Sequence, residues 1–274
     1  MPDDYLTWSR QWASRAHESS RRPRKIEKRL IRMFQRLCRR IEPTIVLEIG
    51  AHEATLSRWA AEAFPTAAVK AFEANPYVHA KYAAALAETR VDYRNLAVGQ
   101  VNGEVQLNVP TEVWGREREL DNRMASLAVN TDATDDIQVT VPAVRLDDHL
   151  SLSADDRVVA WIDVEGANEV VLTGGGGVLD RTHALFIEVE SEPIWEGQWL
   201  DRDVAACLAD HGLVPVARDI FRPHRHQYNV VFARADHARD RRTSRQADAV
   251  IEPARRQHTT PAQSIQTQNS AGNA

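Results

Sequence analysis

Hydrophobic and polar residues follow two rhythms along the middle of the chain. Short apolar runs rich in β-branched residues are each followed by a segment in which apolar residues recur three or four positions apart. The first pattern is typical of buried strands and the second of amphipathic helices. Because the two patterns alternate, residues 44–235 are predicted to form one α/β domain with a mostly parallel, twisted sheet and helices on both faces.

The predicted elements follow directly from these runs. Strands are predicted over residues 44–49, 69–73, 91–97, 104–109, 137–144, 158–163, 184–190, 213–217 and 228–232, and helices over 56–63, 76–88 and 201–211. Two of the strands, 158–163 and 184–190, are almost continuously apolar, which predicts a central position buried on both faces. The last two strands are predicted to close the sheet as a hairpin-like pair.

Both ends of the chain differ from this domain. Residues 1–43 contain a basic stretch from Arg21 to Arg40, in which one apolar stripe recurs at helical spacing: Ile26, Leu30, Met33, Leu37 and Ile41. We expect an amphipathic helix that packs its stripe on the core, although contact with an anionic surface is the alternative. Residues 236–274 contain few large apolar side chains, which predicts a disordered tail.

Composition narrows the functional classes. A chain that is 43% hydrophobic and 27% charged is of the ordinary globular kind, and its formal net charge of −5 gives no general reason for nucleic-acid binding. No apolar N-terminal segment and no run of about 18 apolar residues is present, so neither export nor a membrane span is predicted. Cys38 and Cys207 both lie in helix-like segments. A reducing compartment, and hence a cytoplasmic location, is therefore predicted.

Ligands of open α/β sheets bind at the carboxyl ends of the strands. The first strand ends in Glu48-Ile49-Gly50-Ala51-His52, where Gly50 would let the backbone turn tightly against a ligand. The second strand ends in Glu73, and an acid at this place can accept both hydroxyls of a ribose. A nicotinamide enzyme would need further glycines to receive a pyrophosphate, and only Gly50 precedes the helix. S-adenosylmethionine, which has a ribose but no pyrophosphate, is the better candidate.

The strand 158–163 is followed by two acids, Asp163 and Glu165, which point to the same side of an extended segment. They could take a proton from an acceptor hydroxyl, hold the ammonium group of the cofactor, or contribute to a divalent cation site. A capping role for Asp163 with a solvated Glu165 is the structural alternative. Two carboxylates alone are fewer ligands than would require a cation, so no metal site is assigned and the use of a divalent metal stays open. Glu188 and Glu190 raise the same question.

Three further features are given structural interpretations. The glycine run 174–177 lacks the Lys and Ser/Thr of a phosphate-binding loop and predicts a flexible connection. His224 and His226 lack a clear third ligand, so they do not predict a metal site. Trp195 and Trp199 either line an acceptor pocket or anchor their loop.

Five segments, in order along the chain, together resemble the FkbM-type methyltransferase family. They are Val46-Leu47-Glu48-Ile49-Gly50-Ala51, Ala71-Phe72-Glu73-Ala74-Asn75-Pro76, Asn95-Leu96-Ala97-Val98-Gly99, Leu146-Asp147-Asp148 and Ile162-Asp163-Val164-Glu165-Gly166-Ala167. The resemblance implies a Rossmann-like class I methyltransferase fold, S-adenosylmethionine as the methyl donor, and transfer to a hydroxyl of a sugar or natural product.

The same resemblance implies roles for single residues. Gly50 would lie against the amino-acid part of the cofactor, within a cofactor-binding loop that also includes Glu48, Ala51 and His52. Glu73 would bind the ribose, Asn95 and Ala97 would lie near the adenine, and Asp163 would border the reaction centre. This sequence departs from the usual Asp-x-Gly-Ala-Asn-x-Gly at Glu48, His52 and Ala54, and it has Trp161 where many members have Lys.

The favoured hypothesis is an O-methyltransferase that acts on a small hydroxylated acceptor, with Asp163 or Glu165 as the base. N-methylation of a small molecule stays open, because a neutral amine needs no strong base. The departures at His52 and Ala54 motivate an alternative, a catalytically inactive methyltransferase-fold binding or scaffold protein. The acceptor pocket is expected in residues 112–134, a possible lid, and in 192–201.

Overall fold

The computed structural model describes residues 2–19, 23–220 and 226–251. Its helices are α1 (Pro2–Ser19), α2 (Pro23–Ile41), α3 (Thr55–Ala63), α4 (Pro76–Ala87), α5 (Leu146–His149), α6 (Asn168–Thr173), α7 (Gly176–Leu179), α8 (Asp201–Asp210), α9 (Ala235–Arg239) and α10 (Arg241–Ile251). Its strands are β1 (Ile45–Ile49), β2 (Ala68–Phe72), β3 (Asp92–Arg94), β4 (Ala97–Val98), β5 (Gly103–Val113), β6 (Arg116–Glu117), β7 (Ala133–Val144), β8 (Val158–Ile162), β9 (Thr182–Glu190), β10 (Leu213–Arg218) and β11 (Gln227–Arg234).

The main sheet has the strand order β10-β11-β9-β8-β1-β2-β3. Its strands from β9 to β3 are parallel, and β11 pairs antiparallel with both β9 and β10. The predicted α/β fold with a mostly parallel sheet is therefore confirmed, as is the hairpin-like pair at its edge. The chain leaves β1 toward β2 on one side and returns to β8 on the other, which places a topological switch point between β1 and β8.

Helices cover both faces of this sheet, because alternate residues of its strands enter separate hydrophobic clusters. One cluster contains Val46, Val159 and Phe186 together with side chains of α2, α3 and α10. The other contains their neighbours Leu47, Ala160 and Ile187 together with side chains of α6, α7 and α8. This alternation is the two-residue period of a strand buried on both faces.

The predicted basic helix is α2, and the five residues of its apolar stripe are all buried, between 0% and 4% exposed. The interpretation that this helix packs on the core is thus confirmed. Within residues 1–43, which were predicted to be a helical segment, the apolar stripe located only α2, and α1 precedes it. Helix α1 is held by Trp12, whose indole nitrogen donates to the Arg218 carbonyl at 2.7 Å, and by Tyr5, whose hydroxyl lies 2.8 Å from that of Tyr228.

Two predicted elements are wrong in part. The strand expected over 91–97 is divided, since β3 belongs to the main sheet whereas β4 pairs with β7 in a second sheet. Between them the Asn95 amide donates to the carbonyls of Glu73 and Ala74, which turns the chain away. The tail expected to be disordered from residue 236 instead forms α9 and α10 as far as Ile251. Residues 252–274 lie outside the described part of the chain.

Helix α10 packs in this position because its few apolar residues share one face. Thr243, Ala247, Val250 and Ile251 are buried, and α10 packs against α2, where Arg40 donates to Thr243 and Gln246. Small side chains at helical spacing suffice here because the partner helix supplies the larger ones.

The insert between β4 and α5 forms a second sheet with the order β4-β7-β5-β6. Its long strands β5 and β7 pair antiparallel from Gly103 opposite Ala143 onward. The glycine run is also ordered by packing, so its interpretation as a flexible connection is wrong: a Cβ on Gly174 would lie 2.0 Å from the Gly99 carbonyl oxygen. Among the helices in the described ranges, none combines the length and apolar character needed to span a membrane.

Candidate active site

A cavity of about 520 Å³ lies at the carboxyl ends of β1, β2, β8 and β9 and extends under part of the insert. Eight of the nine predicted site residues line it: Glu48, Gly50, Ala51, His52, Glu73, Ala97, Asp163 and Glu165. Asn95 does not, since its amide donates to the Glu73 and Ala74 carbonyls at 2.8 and 3.0 Å. Asn95 therefore helps to position the cavity wall beside Ala97 without lining the cavity itself.

The Glu73 carboxylate is fixed by the main chain in a position where it can accept further hydrogen bonds from a ligand. One carboxylate oxygen accepts from the His52 backbone N–H at 2.7 Å, and the other accepts from the Asn75 N–H at 2.8 Å. Each oxygen keeps a further lone pair for a hydroxyl group. Burial, with a smaller contribution from the charge of Asp163, raises the pKa of Glu73 to about 7.

Glu48 lines the same cavity but is used differently. Its two carboxylate oxygens accept from the N–H groups of Leu56 and Ser57 at 3.1 and 2.7 Å, in the first turn of α3. The residue before this helix, Ala54, offers no side-chain cap, so Glu48 caps it from the neighbouring strand. Burial raises the pKa of Glu48 to about 7. Through these two hydrogen bonds Glu48 fixes the start of α3, and with it the loop between β1 and α3.

Gly50 is required by the packing of the protein itself, in addition to the predicted contact with a ligand. Its φ is +74°, and a Cβ built on it would lie 1.8 Å from the Asp163 carbonyl oxygen. The absence of a side chain lets β1 and β8 approach closely at the switch point. Asp163 also donates its N–H to the Ile49 carbonyl at 2.9 Å, which fixes this junction.

Two of the residues that depart from the pattern, His52 and Ala54, adopt left-handed backbone conformations in the loop between β1 and α3. His52 and Ala54 have φ values of +45° and +53°, a conformation that costs about 1–2 kcal/mol per residue for side chains other than glycine. The His52 carbonyl accepts from the Tyr93 hydroxyl at 2.7 Å, and its ring packs on Tyr82. Burial, followed by the charge of Arg123, lowers the pKa of His52, which favours the neutral ring.

The other end of the cavity is acidic. Carboxylate oxygens of Asp163, Glu165 and Glu188 all lie within 4.8 Å of one another. Burial raises the pKa of Glu188 well above its usual value, and the charges of Asp163 and Glu165 add to the effect. Glu165 has a φ of +39°, and its carbonyl accepts from the Ser126 hydroxyl at 2.5 Å. A strained residue of this kind is typical of a functional site.

The sequence did not indicate several residues of the wall. Glu27 and Ile31 of α2 and Asn229 of β11 line the acidic end, and Arg118 with residues 122–127 of the insert line the cavity from above. No local pattern marks them, because they come from segments far apart in the chain. The predicted lid segment 112–134 thus contributes to the wall.

The second predicted acceptor segment, 192–201, does not line the cavity among the residues described. Trp195 is 2% exposed and packs on Gly166, where a Cβ would lie 2.5 Å from its ring. Trp195 therefore anchors its loop. Of the two histidines considered as metal ligands, His224 lies outside the described residues, and His226 lies 3.4 Å from Glu192 at an exposed position.

Comparison with known proteins identifies a family. Residues 48–215 match the family described as Methyltransferase FkbM domain. The chain is 24% identical over 178 residues to the 2-O-methyltransferase NoeI of Sinorhizobium fredii, a match that covers 62% of this chain and 73% of the relative.

Solved structures with similar folds include two methyltransferases. Methyltransferase FkbM from Methylobacillus flagellatus has a TM-score of 0.45 at 11% identity over 70% of this chain, which spans only 44% of that protein. Magnesium protoporphyrin IX methyltransferase from Synechocystis has a TM-score of 0.43 at 10% identity and covers 78% of this chain and 79% of its own.

Proposed function

Because the chain belongs to the FkbM methyltransferase family, we propose that it transfers a methyl group from S-adenosylmethionine to a hydroxyl group of a small molecule, such as a sugar or natural product. The observation that carries the proposal is the position of Asp163. Asp163 lines the cavity, its carbonyl lies against Gly50 in the loop after β1, and its carboxylate lies within 4.8 Å of those of Glu165 and Glu188. Asp163 thus lies between the two ends.

The donor is assigned to the end that Glu73 defines. The two free lone pairs of its carboxylate suit the two ribose hydroxyls. The loop from Gly50 to His52 would border the amino-acid part, and Ala97 the adenine, while Glu48 and Asn95 hold these walls in shape. Bound there, S-adenosylmethionine supplies an electrophilic methyl group on a sulfonium sulfur.

The acceptor is assigned to the end beyond Asp163. As the new oxygen–carbon bond forms and the sulfur–carbon bond breaks, Asp163 or Glu165 would take the hydroxyl proton. The walls formed by α2 and the insert would hold the hydroxyl in line with the methyl group, so that positioning supplies most of the acceleration. A neutral amine would not need these acids. The name of the Sinorhizobium relative, a 2-O-methyltransferase, also supports oxygen as the acceptor atom.

The first test is calorimetric titration of the full chain with S-adenosylmethionine and S-adenosylhomocysteine. Glu73→Ala removes the acceptor of the ribose hydroxyls and is expected to weaken both affinities at least about tenfold, since a hydrogen bond to a charged group contributes about 1.5–3 kcal/mol. Glu73→Gln keeps one oxygen acceptor and should lose less. Glu62→Ala, an exposed residue of α3 outside the cavity, is the matched control.

The outcomes separate the hypotheses. Weaker binding in Glu73→Ala, with unchanged binding in Glu62→Ala and unchanged thermal unfolding of both variants, would support the assignment. Absence of binding by the intact chain would contradict the proposed function and favour a scaffold protein that keeps only the fold.

A further inference from the structure

Arg118 is a half-buried cation in the wall of the cavity. It belongs to the insert and comes directly after β6. Its Nε is buried without a hydrogen-bond acceptor in the described part of the chain, where no carboxylate forms an ion pair with its guanidinium group either. Removing such a group from water without an acceptor is costly. An unpaired cation in a cavity wall therefore points to a ligand that carries negative charge.

The other basic side chains of the cavity wall differ from Arg118 in this respect. Arg123 lies 3.8 Å from the Glu53 carboxylate. Burial lowers the pKa of His52, which favours its neutral ring. Carboxyl groups are far more frequent in the same wall: Glu27, Glu48, Glu53, Glu73, Asp163, Glu165 and Glu188. An anionic group that enters this cavity therefore has Arg118 as its best partner among the lining residues described.

Two contacts hold residues 118–123 against the cofactor end of the cavity. Asn75, whose N–H donates to Glu73, also donates through Nδ2 to the Leu120 carbonyl at 2.8 Å. The ion pair of Arg123 joins the end of the segment to the loop that follows β1. The segment that carries the unpaired arginine is thus attached to both loops to which the proposed function assigns the cofactor.

The charges of S-adenosylmethionine indicate which group Arg118 would meet. The molecule carries a sulfonium and an ammonium cation, which suit a cavity rich in acids, and one carboxylate, which those acids repel. A guanidinium group can bind both oxygens of a carboxylate at once. An anionic acceptor is the less favoured partner, because the acceptor end presents Asp163, Glu165 and Glu188.

We propose that Arg118 binds the carboxylate of S-adenosylmethionine, an inference that rests on the proposed function. A residue of the insert, outside the main sheet, would then complete the cofactor site. The same stretch of the insert continues to Ser126, whose hydroxyl donates to the Glu165 carbonyl at the acceptor end. Binding of the carboxylate would therefore also hold in place the wall that faces the acceptor.

The test compares two ligands that differ only in the carboxylate, S-adenosylmethionine and decarboxylated S-adenosylmethionine, by calorimetric titration into the full chain. Arg118→Met should weaken binding of the first at least about tenfold, because a charge-assisted bidentate contact is lost. It should not weaken binding of the second. Arg118→Lys keeps the charge without the planar pair of donors and should lose less. The melting temperature of ligand-free Arg118→Met should not fall, since no protein group loses a partner.

Arg123→Met is the matched control, because it removes the other arginine of the same wall. It should change the affinity for S-adenosylmethionine less than about threefold. Equal effects of Arg118→Met and Arg123→Met would overturn the inference, since the affinity would then reflect general charge.

The remaining outcomes separate this inference from the proposed function. An unchanged affinity of Arg118→Met for S-adenosylmethionine, or equal losses for the two ligands, would overturn the inference alone. A lower melting temperature of ligand-free Arg118→Met would show a structural role and would also overturn it. An intact chain that binds neither ligand would contradict the proposed function, and the inference with it.

Discussion

At Gly50 the main chains that follow β1 and β8 lie very close together. A methyl group on Gly50 would overlap with the Asp163 carbonyl oxygen. The same residue carries a positive φ and lies beside Asp163, which the proposed reaction uses. A sequence comparison would read this glycine as a sign of cofactor contact. Its contact with the Asp163 carbonyl shows that stability and site geometry depend on it together.

We expect Gly50→Ala to destabilise the protein by about 3–5 kcal/mol, because a left-handed backbone costs about 1–2 kcal/mol and the overlap with Asp163 adds a further cost. Urea unfolding followed by circular dichroism measures the change. Gly115→Ala is the matched control: its φ of +68° is similar, but no atom lies within 4 Å of the added Cβ. It should lose only about 1–2 kcal/mol, and equal losses in both variants would refute the contact argument.

Glu48 and Glu73 belong to neighbouring strand ends, but their positions give them different roles. Glu48 accepts from the N–H groups of Leu56 and Ser57 at the start of α3, whereas Glu73 accepts from His52 and Asn75 in loops that border the cavity. Both carboxyl groups are buried. Each carboxylate accepts two main-chain N–H groups, so the difference lies in position: Glu48 lies within β1 and holds the start of α3, whereas Glu73 follows β2, where the proposed function places the ribose.

At the scale of elements, α2 links the core to the cavity. Its apolar stripe packs on the sheet, Glu27 and Ile31 face the cavity, and Arg40 reaches α10. The helix precedes the part of the chain that matches the family. One wall of the proposed acceptor end therefore lies outside the family core.

Leu30→Ala tests this packing. The side chain is fully buried, so we expect a loss of about 2–5 kcal/mol from the lost apolar burial and the cavity left behind. Lys28→Ala, an exposed position of the same helix, should change stability by about 0.5 kcal/mol or less. Chemical denaturation of both variants distinguishes a packed helix from a peripheral one, for which the two losses would be similar.

For the whole molecule, buried carboxyl groups predict an unusual dependence of stability on pH. The pKa of Glu48 and that of Glu73 rise on folding from 4.5 to about 7, mainly through burial. The folded state therefore binds these protons more tightly than the unfolded state does. Their favourable contribution is fully present below the unfolded pKa and is lost as the pH rises through the folded value.

We therefore expect the free energy of unfolding to fall as the pH rises from about 5 to about 7 and then to level off. Urea midpoints measured across this range provide the test. Glu48→Gln removes one titrating group and should make the decline shallower, whereas Glu62→Gln should leave its slope unchanged. A stability that rises over this interval would contradict the burial of these groups.

Much of this fold follows from local pattern. The apolar runs of β1, β2, β8 and β9 and the stripe of α2 are visible in the chain because a residue's burial repeats with the period of its own element. The acids at the strand ends could be named for the same reason, since the carboxyl end of a parallel strand is recognisable from its sequence. These features predicted the fold class and eight residues of the cavity wall.

Contacts between distant segments could not be predicted in this way. They depend on the order and register of the strands, and the periodic pattern within one strand or helix carries no information about either. Only the folded chain brings Glu188 and Asn229 beside Asp163 and gives Gly50 its neighbour, because these contacts join β8, β9, β11 and β1. The order of residues 236–251 was hidden for a related reason. Small side chains cannot form a core alone, and their burial depends on a surface that α2 provides.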